Sequence, residues 1–191
     1  MKIAGINGSP RKESNTRFLL EKALEECKKS GAETEIFDAM QVLEDQKTPF
    51  CSHCSSPCNK SCYTGKNLEK VFDKLKNCDA IILASPVYFG TVSAQLKAIW
   101  DMSRAVRSEH ALVGKIGGAI SVGASLYGGQ ETTIRALQDM LLIQGMTVVG
   151  NGVKNIDVGH QGVAAQQKVF EDERAIEDAR NMGKRIINSI S

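Results

Sequence analysis

Cys51, Cys54, Cys58 and Cys62 form C-x2-C-x3-C-x3-C, four thiols within twelve residues. Structural zinc sites usually divide their ligands into two pairs separated by a longer segment. A consecutive run this tight is closer to the pattern that ligates iron–sulfur clusters, so the spacing favours a [4Fe-4S] cluster. A zinc site, a thiol/disulfide switch, and cysteines left behind by a lost metal site are the competing readings. His53, inside the run, is read as a solvated side chain rather than a ligand.

A second chemical signal is Gly8-Ser-Pro-Arg-Lys-Glu-Ser-Asn-Thr16, between a short apolar run and a helical pattern. Ser9, Ser14, Asn15 and Thr16 crowd hydroxyl and amide groups at a helix start, where free N–H groups and the helix dipole favour an anion. Arg11 and Lys12 add positive charge at the rim. Neither G-x-G-x-x-G nor G-x-x-x-x-G-K-[ST] is present, which weakens dinucleotide-fingerprint and nucleoside-triphosphatase readings. A hydroxyl-rich loop better suits a terminal phosphomonoester such as that of FMN, although a plain N-capped turn would look similar.

The elements that must position these residues follow from periodicity. Ile3 to Ile6 reads as a first strand, and Leu20, Ala23, Leu24 and Cys27 mark the buried stripe of a helix that ends at Gly31. Thr34 to Phe37 is a second strand, and residues 41–65 lose all periodicity, an insertion that carries the four cysteines. Asn67 is expected to cap the next helix, with its stripe at Leu68, Val71, Phe72 and Leu75. Ala80 to Ala84 reads as a central parallel strand. Leu96, Ile99, Trp100 and Ser103 mark another helix, Ile116 to Val122 a fourth strand, Thr132 to Gln144 a helix, and Thr147 to Val149 a fifth strand. A last helix is expected over about Glu171 to Ile190. The alternation predicts an α/β fold with a doubly wound five-stranded parallel sheet in three layers, α/β/α, within a single domain over 1–191.

In such a sheet, ligands bind outside the carboxyl ends of the strands. Two further loops there are unusual. Ser85-Pro-Val-Tyr-Phe-Gly90 offers a stiff, flat apolar surface able to flank a planar ring. Gly123-Ala-Ser-Leu-Tyr-Gly-Gly-Gln-Glu131 combines backbone freedom with hydrogen-bonding groups. Each alone reads as an ordinary turn; their joint placement with the Gly8–Thr16 loop carries the argument.

Composition narrows the class. The chain has 191 residues, 42% hydrophobic and 24% charged, with 24 basic and 22 acidic residues for a formal charge of +2. No basic block suggests a nucleic-acid partner, and no stretch suggests a signal peptide or membrane helix, so a cytoplasmic location is expected. In a reducing compartment six cysteines are not expected to form a disulfide scaffold. Cys27 and Cys78 are read as core residues and His160 as a solvated one.

The motifs G-S-P-R-K-x-S-N-T, S-P-V-Y-F-G and the Gly-Gly-Gln-Glu loop resemble the NAD(P)H-dependent FMN reductase family of the flavodoxin-like superfamily. With the cysteine run after the second strand, the chain is similar to the iron–sulfur flavoproteins, although their usual run is C-x2-C-x2-C followed by a longer gap. The resemblance implies FMN held at its phosphate by Ser9, Arg11, Ser14, Asn15 and Thr16. It implies ring contacts from Pro86, Val87, Tyr88, Phe89 and Gly90, closed on the other side by Gly128, Gly129 and Gln130. It further implies a homodimer or homotetramer, a ferredoxin-like donor and a small acceptor such as oxygen, peroxide or a quinone. A flavin-only NAD(P)H-dependent FMN or quinone reductase and a non-enzymatic flavodoxin-like electron carrier or redox sensor are the alternatives.

Overall fold

The computed structural model describes residues 1–190. Among these, β1 (Lys2–Asn7), β2 (Glu33–Asp38), β3 (Ala80–Pro86), β4 (Ile116–Gly123), β5 (Thr147–Val148) and β6 (Val163–Gln166) form one sheet. The order is β2-β1-β3-β4-β5 with β6 also on β4, and every pairing is parallel. This is the flavodoxin-like order, whose switch point lies between β1 and β3.

The helices are α1 (Asn15–Lys29), α2 (Ala39–Leu43), α3 (Asn67–Lys76), α4 (Ala94–Met102), α5 (Arg104–Ser108), α6 (Gln130–Leu142) and α7 (Glu173–Ile190). Side chains of α1 and α7 bury Leu20, Leu24, Met182 and Ile186 against one face of the sheet. Phe72, Leu96, Trp100 and Leu137, from α3, α4 and α6, cover the other. A strand buried on both faces has no need of alternation, and β3 is accordingly an unbroken Ala-Ile-Ile-Leu-Ala-Ser run with every residue buried. Trp100 belongs to the core, its Nε1–H donating to Met140 O at 2.7 Å. Cys27 and Cys78 are buried as expected.

Three details depart from the sequence reading. The fifth strand position is filled in two pieces: β5 pairs with Ile116 and Gly117, and β6 pairs with Ile120 to Gly123 further along the same edge of β4. Val149 N–H still donates to Gly117 O at 2.9 Å, and residues 150–162 then leave the sheet. The four residues Val-Ala-Ala-Gln are too short and too mixed to announce a strand, and only the preformed edge of β4 makes them one. Second, Lys66 rather than Asn67 occupies the cap position of α3. Asn67 is the first helical residue, and its N–H is satisfied by Asp45 Oδ2 at 2.8 Å from across the insertion. Third, the insertion opens with the single short helix α2 before it becomes irregular.

α1 and α7 approach closely because Gly183 has no side chain. A Cβ there would lie 2.3 Å from Ala23 O, and the Cys27 thiol instead reaches Gly183 O at 3.6 Å. Gly183→Ala is expected to force the helices apart and lower the unfolding free energy by about 1–3 kcal/mol, as overpacked cores do. Urea denaturation followed by circular dichroism checks this.

Candidate functional site

The loops after β1, β3 and β4 meet in a cleft of about 370 Å³ at the carboxyl ends of the strands. Its floor is set by the β1–β3 pairing, which continues past the strand as Gly8 N–H donates to Ala84 O at 2.7 Å. Gly8 is tightly enclosed: a Cβ there would fall 2.9 Å from Leu96 Cβ and 3.0 Å from Ala84 O. Ser93 Oγ–H donates to Gly8 O at 2.6 Å, while Ser93 N–H donates to Ser85 Oγ at 3.0 Å, so one residue joins the first loop to the third strand.

A buried amide orients the loop. Asn7 Oδ1 accepts from Ser9 N–H at 3.1 Å, and its Nδ2–H donates to Asp38 Oδ1 at 2.8 Å. Asp38 in turn is paired with Arg17 on α1. Ser14 caps α1 by accepting from Arg17 N–H at 3.1 Å. The N–H groups of Asn15 and Thr16 have no partner among the described residues, and both residues line the cleft together with Ser9 and Ser14. Unspent N–H groups at the positive end of a helix make a ready anion cradle.

The cleft brings together Ser9, Arg11, Ser14, Asn15, Thr16, Pro86, Val87 and Tyr88. Other residues of the sequence reading fall elsewhere. Tyr88 and Thr91 close a tight turn by exchanging N–H to O bonds of 2.9 and 3.1 Å, with φ of 49° at Phe89 and 80° at Gly90. Two consecutive left-handed residues put Phe89 at the tip, fully in solvent. Thr132 Oγ1–H donates to Gly90 O at 2.9 Å, tying that turn to α6. Gly129 and Gln130 line a neighbouring cavity, and Gly128 lines neither it nor the cleft. Gln130 spends its amide on Ser125 O at 2.7 Å and Ala165 O at 3.4 Å.

The cleft also holds Glu13, Gly123 and Ala124, from two of the loops the sequence pointed to, and Val122, Gln167 and Phe170, which it did not single out. Gln167 and Phe170 arrive because β6 restores the fifth strand position and Gln167 N–H extends its ladder to Gly123 O at 2.8 Å. Phe170 is largely exposed and packs on Phe18 with ring centroids 4.6 Å apart.

The insertion builds a second cavity of about 310 Å³ in which Cys51, Cys54, Cys58 and Cys62 all take part. Short polar turns fold it: Asn59 N–H donates to Ser55 Oγ at 3.0 Å, and Ser61 N–H and Oγ–H both donate to Asn59 Oδ1, at 3.2 and 2.8 Å. Tyr63, next to Cys62, is buried edge-on against Phe72 at 5.1 Å and anchors the end of the run. Lys60 pairs with Glu109 at the end of α5, whose carboxyl the Lys60 and Lys76 ammoniums hold below the usual carboxylate range. Burial, and then the neighbouring Cys54 and Cys58, push the Cys62 thiol up, so the thiols feel one another. Yet among the described residues no three His, Cys, Asp or Glu side chains are grouped to hold a single metal ion. Sulfurs around one zinc, with Zn–S of about 2.3 Å, would stand less than about 4 Å apart. The four thiols are free and line one cavity.

The family model described as NADPH-dependent FMN reductase matches residues 1–161. The chain belongs to that family. It is thereby an FMN-dependent oxidoreductase with a flavodoxin-like fold. An iron–sulfur flavoprotein of Methanocaldococcus jannaschii is 42% identical over 189 residues, covering 97% of this chain and 95% of the relative. An iron–sulfur flavoprotein of Methanosarcina thermophila is 40% identical over 153 residues, 79% of this chain and 78% of the relative. A flavodoxin, WrbA-like protein from Agrobacterium tumefaciens has the same fold, with a TM-score of 0.70 at 21% identity over 99% of this chain and 96% of its own. No helix of this FMN reductase family member is long and apolar enough to cross a membrane among the described residues.

The thiols divide by environment. Burial pushes the Cys27 thiol up to about 12 and the Cys78 thiol up to about 11, so neither is ionised near pH 8. Titration of reduced, metal-free protein with a chromogenic disulfide at pH 8 is expected to modify the four loop cysteines, and Cys27 and Cys78 only after denaturant is added.

Proposed function

We propose that the chain is an FMN-dependent oxidoreductase of the iron–sulfur flavoprotein type, with FMN in the β1–β3–β4 cleft and a [4Fe-4S] cluster on Cys51, Cys54, Cys58 and Cys62. It takes electrons from a ferredoxin-like donor and delivers them to a small acceptor such as oxygen, peroxide or a quinone. The observation that carries the reading is the cleft itself: unspent N–H groups at the start of α1 at one end and the Pro86–Tyr88 wall at the other, in a chain that also gathers four thiols on one cavity.

Ser9, Ser14, Asn15 and Thr16 hold the phosphate by hydroxyl and backbone N–H, and Arg11 adds charge from the rim. Pro86, Val87 and Tyr88 flank the ring on the β3 side. Val122 to Ala124 lie at the end of β4, and Gln167 and Phe170 close the cleft from beyond β6. Bound FMN supplies exchange of one or two electrons, and the protein supplies position and electrostatics. The cluster supplies single-electron exchange. A cytoplasmic homodimer or homotetramer belongs to this reading, because cleft and cysteine cavity share no lining residue and assembly offers a second way to bring one near the other.

The test is the visible spectrum of protein purified without oxygen, with iron analysis and acid release of flavin. Released FMN together with a broad sulfur-to-iron band and bound iron is the expected result. A clean flavin spectrum that survives cluster reconstitution unchanged, with rapid bleaching by NADPH, would replace this reading with a flavin-only reductase. At the level of residues, Thr16→Val is expected to weaken FMN binding about tenfold, the worth of one hydrogen bond to a charged group. Phe89→Ala, at the turn tip, is expected to leave affinity within about twofold. Fluorescence titration of the apoprotein with FMN measures both.

A further inference from the structure

We propose that Lys66 and Arg104 are the counter-cations of the centre held by the four loop thiolates and that they set its reduction potential. The inference rests on the cluster reading above. Both residues line the four-cysteine cavity and both are half-buried. Each is held in place by the cysteine segment's own backbone: Lys66 Nζ donates to Cys62 O at 2.9 Å, and Arg104 Nη1 donates to Ser55 O at 3.2 Å.

What they lack is an anion. Among the described residues neither forms an ion pair, and no Asp or Glu lines the cavity. The contrast is local, since Lys60 and Lys76 close by are both matched by Glu109. Lys47, the third cation on the cavity, is exposed, where water and salt screen it. Holding two half-buried cations on one cavity without a carboxylate is unfavourable unless the cavity's occupant carries negative charge. A thiolate-ligated cluster does, and one electron from a reductant such as dithionite makes it more negative with no bond formed or broken. Fixed positive charge therefore stabilises the reduced form more than the oxidised one, and cluster potential follows local charge and hydrogen bonding.

The experiment compares anaerobically reconstituted wild-type protein with Lys66→Gln/Arg104→Gln and with Arg104→Lys. Each is poised at a series of potentials with dithionite, and the reduced centre is counted by electron paramagnetic resonance alongside iron content and circular dichroism. At the wild-type midpoint the double variant is expected to hold at least tenfold less reduced centre per oxidised centre, a shift of about 59 mV to lower potential for one electron. Arg104→Lys, which keeps the charge, is expected to stay near wild type. Wild-type iron with an unmoved potential in the double variant overturns this inference and leaves the cluster reading intact. Wild-type protein that takes up no iron overturns both. If the folded double variant sheds its iron, retention by Arg104→Lys supports the charge role, and loss from Arg104→Lys as well counts against it.

Discussion

The parallel pairing of β1 with β3 is the constraint on which the cleft depends. Register sets Asn7 opposite Ala84, and the next residue continues the ladder with Gly8 N–H on Ala84 O. The chain leaving β1 is thus held flat against the end of β3 before it turns, with no room for a side chain at residue 8. Asn7 then fixes the direction of the turn by holding Ser9 N–H on one side and Asp38 on the other. The start of α1, with its unspent N–H groups, is aimed into the crevice as a consequence of sheet geometry rather than of any contact with a ligand.

The second site is organised by a different kind of force. Beyond Val42 and Leu43 the insertion is largely polar, so side-chain to backbone hydrogen bonds among Ser55, Asn59 and Ser61 shape it, and Tyr63, with Cys62 beside it, ties its end to the core. Electrostatics then distinguishes its surroundings: Glu109 answers Lys60 and Lys76, while Lys66 and Arg104 line the cysteine cavity with no ion pair among the described residues. The same electrostatic logic operates in both places, backbone N–H groups facing the cleft and cationic side chains facing the cysteine cavity.

The sequence and the structure agree where one kind of signal dominates. The stripe at Leu20, Ala23, Leu24 and Cys27 could be buried only on a helix, and the unbroken apolar run from Ala80 could be satisfied only at the centre of a sheet. Ser9, Ser14, Asn15 and Thr16 meet in the cleft because they sit together at one strand-to-helix junction, a neighbourhood the sequence already shows. The β4–α6 loop and the β3 turn are placed by contacts the sequence does not show. Gly129 and Gln130 line a neighbouring cavity, where the Gln130 amide also braces the loop, and Phe89, next to residues that line the cleft, is turned outward by two left-handed residues. Such rotations are decided by backbone dihedrals that composition does not encode.

By itself the sequence determined the order of strands and helices, the phosphate-suited loop and the run of four thiols, because each depends on residues close together in the chain. Tertiary structure alone decided the split of the last strand position, since Val163–Gln166 becomes a strand only against the exposed edge of β4. It alone delivered Gln167 and Phe170 to a cleft begun at residue 9, and Arg104 to thiols some fifty residues earlier. The physical reason is common to all three: these groups are weak signals locally, and their partners are fixed by the packing of elements distant in sequence.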